Sequence, residues 1–254
     1  MKMILLAAVV VASGFSMLRA ADANEPPAVQ VDVGSLFNAR VVTTFSDGKV
    51  VPFGANLDGW GGAITKSAVE ALGSKNPFSL PDDGKFPANG DHPDVVLSYA
   101  KAGGSDNQVH RSGGEKEDEY SFAVPPGKYA KMFLFFNCGN GGRLIPLDVV
   151  LTYQDGSTEK RALSLPDWWW NIDEDAKAKD CIYWNADPND KDCVYLASNL
   201  AKWGSNNKQM EWNHHNIYGL NVRPARDKVL TKITVHKTKA VVVFWGATGV
   251  PMER

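Results

Sequence analysis

Short runs of Val, Ile, Leu, Phe and Tyr recur along this chain between turn signals, and that rhythm leaves little room for anything but packed sheets. Two turns stand out. Asp47-Gly48 sits inside "FNARVVTTFSDGKVVPF", and Asp155-Gly156 sits inside "LDVVLTYQDGSTEKRALSL". Asp-Gly between apolar runs marks a tight hairpin, because both central residues of a two-residue turn need positive φ. Val229, Thr231, Ile233 and Val235 alternate at period two, the repeat of a strand with one buried face. "FAVPPGKYAKMFLFFNC" is punctuated by Pro125-Pro126-Gly127, and "HNIYGLNV" adds a further apolar run. Helical patterns are few: "TKSAVEALG" (65–73) predicts one short helix, and "AKAKD" (176–180) a second helical turn. About ten to twelve strands with so little helix predict an all-β fold. The expected form is an antiparallel two-sheet β-sandwich of the jelly-roll kind, with long loops. Three polar stretches, 81–92, 101–118 and 171–192, are the expected long loops.

The first residues read as a leader. Met1-Lys2-Met3 precedes an apolar run from Ile4 to Leu18, and Ala21-Asp22-Ala23 or Leu18-Arg19-Ala20 offers a cleavage site. The run is shorter than the roughly 20 apolar residues of a membrane span. The expectation is a signal peptide over 1–23 and one β-sandwich domain over 24–254, secreted or periplasmic in a bacterial setting. Removing Lys2, Arg19 and Asp22 takes the net charge from −2 to about −3. No basic run appears, so nucleic acid is not an expected partner, and no later stretch has the length of a membrane span. Of the 3 cysteines, Cys181 and Cys193 bracket a polar loop and are the expected disulfide of an oxidising compartment. Closing that loop would add roughly 3 kcal/mol. Cys138, inside an apolar strand, reads as a buried free thiol.

The chain holds 8 tryptophans, and seven of them fall in or beside loops: Trp60, Trp168, Trp169, Trp170, Trp184, Trp203 and Trp212. An indole presents a flat apolar face to a sugar ring while keeping one N–H donor. If 168–170 is extended, Trp169 points away from its two neighbours, so the three cannot form one platform. Other chemistry is less marked. "NADPNDKDC" places Asp187, Asn189, Asp190 and Asp192 at spacings that suit Ca²⁺, but Lys191 interrupts them and the distal glutamate of a full calcium loop is missing. No cofactor is expected beyond such a structural Ca²⁺. The five histidines show no metalloprotease spacing, and no Gly-x-Ser-x-Gly elbow is present. Among carboxylates, Asp58 beside Gly59-Trp60 is the best cleft candidate.

"PLDVVLTYQDGSTEKRALSLPDWW" resembles a segment of secreted bacterial β-sandwich modules of the galactose-binding-like type, which accompany glycoside hydrolases. The matching positions are Val150, Tyr153, Asp155, Gly156, Ser157, Leu165, Asp167 and Trp168. "VLTKITV" (229–235) is similar to the penultimate strand of those modules. The resemblance implies a jelly roll and, more loosely, sugar binding. It carries no catalytic residue, and 171–213 departs from it as a long insertion. It also implies that Asp167 and Trp168 form a corner, the carboxylate capping backbone N–H groups and the indole filling the sandwich edge. Trp169 and Trp170 are then free to meet a ligand.

The leading expectation is a non-catalytic domain that recognises a poly- or oligosaccharide. Trp169, Trp170, Trp184, Trp203 and Trp212 would stack on the sugar, while Asn185 and Asn206 would fix its hydroxyls. A second reading is a polysaccharide-active hydrolase or lyase on the same scaffold, drawing on Asp58, Asp106, His110, Glu211 and His214. A third is a structural envelope protein whose aromatic loops pack on a protein partner.

Overall fold

The computed structural model describes residues 27–101, 106–140, 142–170, 172, 191–210 and 215–253. The expected leader, Trp184, Asn185, Trp212, Cys181, Asp187, Asn189, Asp190, Glu211 and His214 lie outside these residues. The early strands are short: β1 (Val29–Val31), β2 (Val42–Ser46), β3 (Lys49–Val51), β4 (Ala63–Ile64), β5 (Lys85–Phe86), β6 (Val95–Val96) and β7 (His110–Ser112). The long ones follow: β8 (Asp118–Gly127), β9 (Tyr129–Gly139), β10 (Leu144–Tyr153), β11 (Thr158–Pro166), β12 (Cys193–Leu200), β13 (His215–Asn221), β14 (Leu230–Lys237) and β15 (Val241–Pro251). One helix, α1 (Lys66–Ala71), occupies the predicted place.

Two sheets form an all-β sandwich. One has the order β1-β15-β9-β13-β12, with β7 also paired to β15; the other has the order β11-β10-β14-β8. All pairings within these two sheets are antiparallel. Between them lies the main core, where Leu134 and Phe136 of β9 meet Leu147 and Val149 of β10, Ile233 and Val235 of β14, and Phe244 of β15. Phe244 packs on Phe136 and Phe122 at ring-centre distances of 5.2 and 5.4 Å.

The two sheets differ in what covers them. In β10 buried and half-exposed residues alternate, so its outer face meets water. In β9 the run Met132–Gly139 is buried throughout. Its odd positions, Phe133 and Phe135, enter a second core with Val194, Ile217, Val243 and Trp245. That core is roofed by Val41, Leu57, Leu80, Leu97 and Tyr99 from residues 39–99. The apolar stretch "MFLFF" thus reflects a strand clad on both faces. Burying each such side chain contributes roughly 1.5–3 kcal/mol.

Several expectations meet corrections. The turn at 47–48 has both residues at positive φ, 51° and 73°, as a two-residue hairpin requires. At 155–156 only Gly156 is left-handed, at 81°. Gly156 N donates to Tyr153 O and Tyr153 N to Ser157 O, so this is a longer turn with a bulge, and Asp155 Oδ1 accepts from Ser157 N. Pro125-Pro126-Gly127 does not stop a strand; β8 runs through it. β8 is the edge of its sheet, where missing N–H donors are tolerated. The stretches 81–92 and 101–118 are not bare loops, since β5 and β7 lie in them. β2 and β4 pair in parallel, outside the two main sheets. Among the described residues no helix is long and apolar enough to cross a membrane.

Candidate functional site

The segment after β11 is pinned at the rim of the sandwich. Asp167 N donates to Arg143 O, Trp168 N to Cys138 O at the end of β9, and Asn216 N of β13 to Trp168 O. The Tyr218 hydroxyl stands 2.6 Å from Trp170 O and 3.0 Å from Asp167 O. Both sheets therefore fix residues 167–170 at one end. The close fit depends on Gly139: a Cβ there would stand 2.5 Å from Asp58 Cβ and 3.0 Å from Trp168 Cδ1.

Opposite this segment lies the loop carrying Asp58 and Trp60. Asp58 Oδ1 accepts from the N–H groups of Trp60 (2.9 Å) and Gly61 (3.3 Å), a turn that commits the loop to its shape. Asp58 Oδ2 accepts from Lys202 Nζ at 2.6 Å, and Asn140 Nδ2 donates to Asp58 O. Asp58 and Lys202 are both buried. His215 Nε2 stands 3.7 Å from Asp58 Oδ2, and its ring meets Trp168 edge-on at 4.5 Å. The Lys202 ammonium also lies 4.3 Å from the centre of the Trp168 ring. Burial opposes the charge of Asp58, but His215, Lys202 and the Trp60 N–H outweigh it and hold this carboxyl well below the usual carboxylate range. Burial likewise pushes the His215 imidazole down against the pull of Asp58, which favours its neutral form.

Above this cluster opens a cavity of about 1030 Å³. Trp60, Trp168 and Trp169 supply its aromatic wall, and Met210 adds an apolar patch. Asp167, Asn140, Lys202, Asn206, Lys208 and Gln209 supply its polar groups. Trp60 is 69% exposed and Trp169 57% exposed, both unusually open for so large an apolar side chain. Asp167 is only 6% exposed, and its Oδ1 has no hydrogen-bond partner among the described residues. Its carboxyl is pushed up to about 7: burial dominates and Asp58 adds to it, against a partial pull down from the N–H groups of Trp169 and Trp168 and from Lys202.

The predicted ligand residues separate. Trp169 and Asn206 line the cavity. Trp170 stands beside it, with one face covered by the Arg143 guanidinium at 4.0 Å from the ring centre. Trp203 is corrected to core: it is 1% exposed, packed with Ile64, Val69 and Ala201, and its backbone pairs with Gly62. The N–H groups of Trp168 and Trp169 act on the Asp167 carboxyl, as the expected corner would have it, while its Oδ1 has no partner among the described residues and the residue lines the cavity. Asp192, the described member of the proposed calcium set, is buried and accepts from Arg223 Nε. No cluster of three or more metal-ligating side chains occurs among the described residues.

Of the residues named for catalysis, Asp58 is buried beneath the cavity, and His110 lies on β7 bonded to Asp118 and Leu36 O. Cys138 is a buried free thiol that donates to Pro166 O. Cys193 is buried on β12; no disulfide occurs among the described residues, and its expected partner Cys181 lies outside them. Sequence reasoning missed Lys202, His215, Asn140, Lys208, Gln209 and Met210. Asp58-Gly59-Trp60, Asp167-Trp168-Trp169 and Asn206 were the signals that led toward this site. Compared with protein-family models and with curated proteins, the chain matches none.

Proposed function

We propose that the protein is a secreted, non-catalytic carbohydrate-binding domain of the galactose-binding-like jelly-roll kind, and that a sugar ring lies in the cavity against Trp60 and Trp169. The observation that carries this reading is the pairing of two exposed indoles with polar side chains around one cavity. Indole faces match the axial C–H face of a pyranose, and Asn140, Asn206 and Gln209 offer donors and acceptors to its hydroxyls. Each stacked ring is worth about 1 kcal/mol, so affinity is modest. Affinity electrophoresis on a polysaccharide panel, with tryptophan fluorescence, tests it. Retardation on at least one glycan is expected, and Trp60→Ala with Trp169→Ala should weaken it roughly 10- to 30-fold at constant melting temperature. No retardation on any glycan, with unmoved fluorescence, overturns the reading.

A polysaccharide-active enzyme is the second reading. Asp167 favours it, because a carboxyl pushed up to about 7 in a cavity has the protonation of a general acid. Asp58, the other carboxylate at the site, is buried and held by Lys202, so it does not offer a second catalytic group to the cavity. Reducing-sugar release that disappears in Asp167→Asn would replace the binding reading with this one.

A further inference from the structure

The cavity holds one buried carboxyl, Asp167, that has an oxygen without a partner. Asp167 and the ammonium-bearing Lys202 line it, and the Asp58 carboxylate lies fully buried beneath it. Lys202 is already committed to Asp58 at 2.6 Å. His215 adds no firm charge, since burial disfavours its imidazolium. Arg111 feels Asp58 but gives its guanidinium to the main-chain and side-chain oxygens of Asn56. Lys208, at the cavity rim, is exposed and makes no ion pair with Asp167. Asp167 is therefore one cation short: more than nine-tenths buried, lining the cavity, and with Oδ1 unpartnered. A buried polar atom without a partner in a folded protein calls for an explanation, and a donor brought by the ligand is one. The aromatic part of the wall is indole, the ring that attracts cations most strongly through its face.

We propose that this cavity selects a sugar bearing a free ammonium group, the pyranose lying on Trp169 and Trp60 and the ammonium donating to the Asp167 carboxylate. This rests on the sugar-binding reading above and sharpens it to de-N-acetylated amino sugars. The ammonium gives Asp167 its missing charge-assisted hydrogen bond, of the kind that outweighs a neutral one about twofold in strength. N-acetylation removes the charge and leaves Asp167 unpaired. A neutral hexose leaves it with a hydroxyl donor only.

The test is calorimetric titration near neutral pH with two probes of equal length, a glucosamine tetrasaccharide and its fully N-acetylated form. The amine form is expected to bind at least about 10-fold tighter to the wild type. In Asp167→Asn that preference should vanish, while binding of the N-acetylated form stays within about 3-fold. In the wild type, tetramethylammonium chloride should displace the amine form more than NaCl at equal ionic strength. This last measurement needs no variant and stands even if Asp167→Asn folds poorly. Equal binding of the two probes overturns the inference and leaves the sugar reading intact. Binding of neither probe, with another glycan bound, does the same. A preference that survives in a folded Asp167→Asn overturns the role of Asp167, and equal displacement by the two salts overturns the cation site. Failure of every glycan overturns both readings.

Discussion

Two places in this molecule join an aspartate, a histidine and a lysine, and they differ in how completely the groups are satisfied. At the edge formed by β7, β8 and β14, Asp118 accepts from Ser112 Oγ and pairs with His110 Nε2 at 2.8 Å. The other ring nitrogen of His110 stands 2.9 Å from Leu36 O. Lys237, with its charge facing Asp118, gives its ammonium to Gly113 O, Gly114 O and Ala240 O. Each of these polar groups has a partner. At the other place, Asp58 and Lys202 satisfy each other, while both ring nitrogens of His215 and Oδ1 of Asp167 lack hydrogen bonds among the described residues. A satisfied cluster fastens strands. An unsatisfied one beside a cavity leaves buried polar atoms open, which is what the sugar proposal draws on.

The comparison breaks most readily at the lysines. Lys202→Met strips a fully buried carboxylate of its ammonium and is expected to cost about 3–5 kcal/mol in urea denaturation. Lys237→Met leaves Asp118 with Ser112, His110 and part of its solvent, and is expected to cost about 1–3 kcal/mol. Equal losses would mean that the two clusters do the same structural work. The next test is pH. The folded Asp167 binds its proton more tightly than the unfolded chain does. Its contribution to stability is full below the unfolded carboxyl value, near 4, and is lost as pH rises through about 7. Asp58 and Asp118 are held low, so their contributions run the other way: present above the unfolded value and lost as acid protonates them. Denaturation midpoints at about pH 5 and pH 7.5 should therefore fall less with rising pH in Asp167→Asn than in the wild type. Identical slopes would remove Asp167 from the comparison. The smallest effect is on packing. Trp169→Ala removes an exposed ring and should change stability by no more than about 0.5 kcal/mol, as read from the melting temperature. A larger drop would make Trp169 a packing residue.

The strands were legible where the local pattern is the cause of the structure. Ile233 and Val235 alternate inward on β14, the Asp47-Gly48 turn supplies two left-handed residues, and the terminal glycine of "TKSAVEALG" closes α1 near its expected end. The 155–156 turn was harder to read, because Asp-Gly serves two loop lengths and only the pairing register distinguishes them. The site was half legible. Asp58 and Trp60 announce themselves together, and Trp169 stands out in a triple. Lys202 could not be paired with Asp58 from sequence, because 144 residues separate them and no local rule links the two. Trp203 looked like its neighbours in the loops, and only its place between α1 and the 61–64 segment makes it core.

Sequence alone determined that this chain forms sheets, since side chains that alternate every second residue must present one apolar face and bury it. It also determined where the aromatic surplus lies along the chain. The tertiary structure decided which indoles meet water, which carboxylate is neutralised and which is left wanting a partner. Those outcomes depend on desolvation and on charges brought together from distant segments, and neither quantity exists until the sheets have packed.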